Sequence, residues 1–139
     1  MSSIFRSSGP ERRRTACAGL FLCSLLLGGG AHAAEQVARG EQLYQERCGA
    51  CHALDEHGAG PKHRDLLGRR AGTQPDYDYS PALAASKIVW SPQTLERWIA
   101  DPNALVPGNR MVVRLANDPA DRAAIVAYLI SGSRASESR

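Results

Sequence analysis

From residue 35 to residue 132 the apolar positions recur at helical spacing, and no segment alternates apolar and polar residues as a half-buried strand does. The stretch "EQVARGEQLYQERC" sets Val37, Leu43, Tyr44 and Arg47 on one face and predicts a first helix. Ser80-Pro81 supplies a cap and a first-turn proline for a short helix reaching Ser86. Ser91-Pro92 does the same for a helix that buries Leu95, Trp98 and Ile99, and Asp101-Pro102 ends it. Asp118-Pro119 starts the last helix, with Asp121 near its positive end. There Ile125, Val126 and Leu129 form the buried stripe, and Gly132 marks the stop. The reading is an all-α domain of three main helices plus short ones, with residues 132–139 a disordered polar tail.

The first 33 residues follow a different pattern. Arg6, Arg12, Arg13 and Arg14 precede the apolar run Ala16 to Leu27, and three glycines and "AHAA" follow it. A basic start, a short apolar run and a small-residue site describe a secretory leader cut after Ala33. The run falls short of the roughly 20 residues a membrane-spanning helix needs, so no stable membrane anchor is expected after cleavage. Cys23 lies inside the run with bulky Leu22 before it, which argues against a lipoprotein site. Arg13-Arg14 lacks the apolar residues expected after a twin-arginine pair, so general secretion is the better reading. The domain proper is then residues 34–131, and the expected compartment is the periplasm.

Cleavage changes the charge balance. The full chain of 139 residues carries 17 basic and 14 acidic side chains; the leader removes four and one, leaving 13 of each. A neutral mature chain gives no reason to expect a nucleic-acid partner. Cysteine usage narrows too, because Cys17 and Cys23 leave with the leader and only Cys48 and Cys51 remain. Aromatic residues make up 6% of the chain, a thin share for a core of this size, which leaves room for a non-protein filler.

The two remaining cysteines stand in "CGACH", residues 48 to 52. A thioredoxin-like dithiol follows a strand and opens a helix, whereas this motif follows a helix. A structural zinc site wants four ligands, and His57 and His63 lack the paired spacing. Covalent haem needs only what is present: two thiols to add to two vinyl groups, and His52 to rise under the iron as proximal ligand. Met111, in the irregular "VPGNRMVV", is the one methionine after Met1 and the favoured sixth ligand. His57 and His63, in "HGAGPKH", stay open as alternatives.

From Val37 to Tyr128 the chain resembles a class I c-type cytochrome, similar to mitochondrial cytochrome c and its soluble bacterial relatives. The residues that carry the resemblance are Gly40 and Tyr44, CGACH, Gly60-Pro61, "GRRAG" at 68 to 72, "YDYS" at 77 to 80, Trp90, "VPGNRM" and "DRAAIVAYL". It implies one haem c bound through Cys48 and Cys51, with His52 and Met111 on the iron. It implies that the Pro61 carbonyl takes the Nδ1 hydrogen of His52. It implies that Arg69, Tyr79, Trp90 and Asn109 hold the propionates, and that Gly40 lets the first helix approach the last at Ile125 and Tyr128.

The chain also departs from the family pattern. His63 and Asp65 stand where relatives carry Leu and Gly, Trp98 replaces a tyrosine, Leu83 an asparagine and Val113 a phenylalanine. Around the haem edge Arg47 and Arg110 are charged, whereas Asn103, Asn117 and Asp118 supply no positive charge. Steering toward acidic partners is therefore expected to be weak, with docking through a small apolar patch.

What the resemblance implies for function is a monomeric one-electron carrier that transforms no substrate. Its redox partners would be a cytochrome bc complex, a terminal oxidase or a periplasmic dehydrogenase. Two other readings remain: a dedicated haem subunit of one periplasmic dehydrogenase, and a ligand-binding haem sensor or enzyme in which Met111 dissociates.

Overall fold

A computed structural model describes residues 28–137, with side chains described for residues 30–133. It contains five helices: α1 (Gly28–Arg47), α2 (Pro81–Ala85), α3 (Pro92–Ala100), α4 (Pro102–Leu105) and α5 (Pro119–Glu137). Three are long and two are single turns, and among the described residues the one strand-like pairing is an isolated bridge between Arg70 and Val89. Residues 1–27 of the expected leader lie outside the described residues, and α1 begins at Gly28, inside the span assigned to it. Among the described residues no helix is long and apolar enough to cross a membrane.

Local chemistry explains where the short elements begin. Ser80 Oγ accepts from the Leu83 amide at 3.2 Å and caps α2. Ser91 and Thr94 form a reciprocal capping box at the start of α3, with Pro92 in its first turn. Asp101 ends α3 and also starts α4, its carboxylate accepting from the Asn103 and Ala104 amides at 3.1 Å each. The sequence reading took Asp101-Pro102 only as a stop.

The stop expected at Gly132 is corrected. α5 runs on to Glu137, through most of the residues expected to form a disordered tail. Arg64 Nη1 donates to the Gly132 carbonyl at 3.2 Å, and the Leu54 side chain packs within 4 Å of where a Gly132 Cβ would sit. Those tertiary contacts outweigh the weak helix propensity of glycine.

The frame is the crossing of α1 and α5. At Gly40 the backbones approach so closely that a Cβ would fall 2.0 Å from the Ala124 carbonyl oxygen. Beside the crossing Tyr44, 1% exposed, tilts against Tyr128 with ring centroids 5.2 Å apart. Arg39 and Asp121 pair across the same helices. α3 lays Leu95, Trp98 and Ile99 against the core formed with Ile125, Val126 and Leu129 of α5. Behind α3, Arg122 of α5 donates to the Leu115 and Ala116 carbonyls and reaches Glu96 at 3.4 Å. The loop between α4 and α5 is thereby tied to the helical frame at its far end.

Candidate functional site

α1 ends in a tight turn that carries the cysteine motif. The Cys48 and Gly49 amides both donate to the Tyr44 carbonyl, at 2.8 and 2.9 Å, and the His52 amide donates to the Cys48 carbonyl at 2.9 Å. The turn sets Cys48, Cys51 and His52 on the wall of a cavity of about 260 Å³. The two cysteines form no disulfide. Burial pushes the Cys48 thiol up to about 11, with the neighbouring Cys51 adding to the effect and Arg47 opposing it. The buried Cys48 sulfur is thus favoured as the thiol rather than the thiolate. Among the described residues no group of three or more His, Cys, Asp or Glu is placed to hold a metal ion.

His52 is held in one tautomer. Its Nδ1 lies 2.8 Å from the Pro61 carbonyl oxygen, which can only accept, so Nδ1 carries the hydrogen and Nε2 keeps its lone pair. Burial lowers the His52 pKa, and the Pro61 bond opposes that shift only in part. The ring is accordingly a neutral base, as a metal ligand must be. Gly60 lies hard against it: a Cβ there would sit 2.1 Å from His52 Cε1. The Gly60 and His63 amides donate to the Cys51 and Ala53 carbonyls at 2.8 and 3.0 Å, closing the loop around the ring.

The two alternative ligands are accounted for otherwise. His57 uses both ring nitrogens: Nδ1 accepts from the Lys62 amide at 3.2 Å and Nε2 donates to the Pro75 carbonyl at 3.1 Å. His63 lines the cavity, but its ring stacks on His52 with centroids 4.2 Å apart and planes 22° from parallel. Two rings stacked in this way cannot ligate opposite faces of one iron. Its Nδ1 pairs with the Tyr44 hydroxyl at 3.1 Å, and burial holds its pKa well below the usual histidine value. The imidazole of His63 is therefore neutral. Sequence reasoning flagged His63 as a departure but gave no sign of the stack, which exists only once the loop has closed.

Met111 borders the same cavity from the loop after α4. Asn109 holds that loop: its Oδ1 accepts from the Met111 amide at 2.7 Å, and its Nδ2 donates to the Val106 carbonyl at 2.8 Å. Asn109 thus has a second task besides the expected one at the cavity. Arg69, Tyr79 and Trp90 line the cavity as well. Arg69 Nη1 donates to the Arg64 and Asp65 carbonyls at 3.0 and 3.1 Å, and burial lowers its pKa while Tyr79 and Asp65 oppose. Trp90 is buried edge-to-face against Trp98, with ring centroids 5.5 Å apart.

The departures from the family pattern fall in the same place. Leu83, Trp98 and Val113 line the cavity. Asp65 adopts a φ of 54°, the left-handed conformation that glycine takes most readily, and a short acidic side chain tolerates it better than most.

The donor set and the walls fit a flat macrocycle. Leu66, Leu83, Leu95, Ile99, Val113 and Leu129 make an apolar slot. Two thiols and a neutral imidazole stand on one turn of its wall, while Arg69, Tyr79 and Asn109 add polar groups suited to carboxylate appendages. The sequence profile of the family described as "Cytochrome c" matches residues 37–133. A cytochrome c2 from Rhodomicrobium vannielii is 34% identical over 109 residues, spanning 76% of this chain and 86% of that protein. A cytochrome c2 iso-2 from Magnetospirillum fulvum is 41% identical over 86 residues, 60% of this chain and 90% of that one. Among solved structures, cytochrome cH from Methylobacterium extorquens superposes with a TM-score of 0.65 at 36% identity, over 68% of this chain and 97% of that one. A CxxCH turn set against an apolar slot, in a chain matched by these relatives over nearly the whole domain, belongs to the cytochrome c family and carries one covalently attached haem c.

Proposed function

We propose that this protein is a periplasmic one-electron carrier in which His52 and Met111 are the two axial ligands. The observation that carries the reading is the His52–Pro61 bond of 2.8 Å, which leaves Nε2 as the lone-pair nitrogen in a cavity that Met111 also borders. Haem c supplies an iron whose valence alternates by one unit, with no bond made or broken in a substrate. The protein's part is to hold both axial positions, so that no site is left for oxygen or peroxide. Cys48 and Cys51 tether the macrocycle, here standing as thiols where the holoprotein has thioether sulfurs. The Pro61 carbonyl keeps the His52 ring in one tautomer and strengthens it as a ligand. Met111 raises the reduction potential, because a soft thioether favours ferrous iron. Arg69, Tyr79, Trp90 and Asn109 receive the propionates, pairing or bonding charges that would otherwise be costly in an apolar slot.

The surface around the cavity supports brief encounters. Val112, 86% exposed, stands next to Met111. Arg47, Arg70 and Arg110 border the cavity, and Arg110 is paired with Asp78 at 3.1 Å. A small apolar contact beside two or three exposed positive charges gives modest steering and fast release. Donor and acceptor would be a cytochrome bc complex, a terminal oxidase or a periplasmic dehydrogenase, and the carrier would be monomeric. The periplasmic assignment rests on the leader pattern in residues 1–33.

The test is the far-red charge-transfer band of the ferric holoprotein, a signature of methionine ligation. It should be present in the wild type and absent from Met111→Ala. A wild type without the band would sink this reading.

A further inference from the structure

His63 has no part in the carrier mechanism above, yet it makes the closest ring contact that His52 has. Three observations define its setting. Its ring lies 4.2 Å from that of His52, nearly parallel to it. Its amide donates to the Ala53 carbonyl at 3.0 Å, beside His52 in the chain, while Pro61, two residues before it, receives the His52 Nδ1 hydrogen. Its Nδ1 is tied to the Tyr44 hydroxyl, and Tyr44 is locked into the α1–α5 crossing against Tyr128.

The hydrogen bond at Nδ1 pins one atom of the His52 ring and Gly60 bounds it on one side, which leaves the plane to be fixed by the neighbour stacked on it. We infer that His63 is a positioning residue for the axial ligand: held by Tyr44, it fixes the plane of the His52 ring and stabilises the ferric state through its polarisable face. This rests on His52 being an axial ligand, as proposed above. A leucine in the same space would fill it with a rounded aliphatic surface that neither orients a plane nor responds as strongly to charge. Oxidation places one more positive charge at the iron, part of it spread onto the ligand ring, so the neighbour's polarisability favours the ferric form. The chain Tyr44–His63–His52 thus links the helix crossing to the redox centre by direct contact.

The experiment uses the haem-loaded protein and the variants His63→Leu, His63→Phe and Tyr44→Phe. Proton NMR of the ferric state reads the order and spread of the haem-methyl shifts, which report the azimuth of the axial imidazole plane; a redox titration reads the potential. His63→Leu should change the methyl-shift pattern and move the potential upward. His63→Phe, which keeps a flat ring, should retain the wild-type shift pattern. Tyr44→Phe loses only the tether and should move the shifts in the same sense as His63→Leu by a smaller amount. It carries the test alone if His63→Leu fails to mature. Wild-type shifts in His63→Leu, or in Tyr44→Phe where that variant stands alone, would overturn the inference, as would a His63→Phe pattern as altered as that of His63→Leu. Failure of the underlying reading looks different: the wild type itself would lack paramagnetically shifted His52 ring protons.

Discussion

The two segments that face the cavity are held in different ways. The loop from Cys48 to His63 is closed by backbone bonds at Cys48, Gly60 and Ala53, by the His52–Pro61 bond, and by His63, which stacks on His52 and meets Tyr44 edge-on. The loop from Val106 to Asp118 is held near Met111 by the Asn109 amide, by exposed pairs of Arg110 with Asp78 and Arg114 with Asp101, and at its far end by Leu115 and Arg122. Between those anchors Val112 projects into solvent. The histidine side is therefore the permanent wall and the methionine side the one that yields first. Fewer buried contacts mean a lower free energy for local opening.

The most damaging way to break the comparison is to attack the stiff side. Gly60→Ala puts a methyl group 2.1 Å from His52 Cε1, and the ring, held at Nδ1 and stacked on His63, has no room to retreat. Overpacking of this kind should cost about 3 kcal/mol or more, read as a lower denaturation midpoint, together with poor haem incorporation. On the yielding side Asn109→Ala removes the acceptor for the Met111 amide and the donor to Val106, a loss of about 1–2 kcal/mol confined to that loop. The far-red band should then vanish at a lower temperature than global unfolding, while in the wild type the two transitions lie closer together. If both loops melt together in this variant, the asymmetry does not exist. The smallest effect belongs to a site remote from both. Arg39→Ala cuts a surface pair between α1 and α5 and should cost about 0.5 kcal/mol, fading as salt is raised. The far-red band should be untouched.

How much of this could be read from the chain depended on the range of the interaction. Serine-proline and aspartate-proline pairs announce helix starts because a cap needs only its next three residues, and α2, α3 and α5 begin where those pairs predict. Asp101 was harder: the same carboxylate that follows α3 caps α4, and a stop signal and a start signal coincide on one residue. Gly132 misled because Arg64 and Leu54, far away in sequence, hold α5 helical there. In the site, CGACH was legible as a local motif, and the role of Pro61 only through the family resemblance. The stack of His63 on His52 and the grip of Asn109 on Met111 were not, since each depends on how a loop folds back on itself.

The crossing at Gly40 and Ala124 has a consequence in time. Arg39 and Asp121, which meet beside it, are 82 positions apart in the chain. The first helix to be synthesised has its main partner in the last, and no shorter piece of chain contains both. Closing so long a loop carries an entropy cost that forming either helix alone does not. With the crossing closed, Cys51 is still exposed and Cys48 half-buried, so the sulfurs do not depend on an open chain for access.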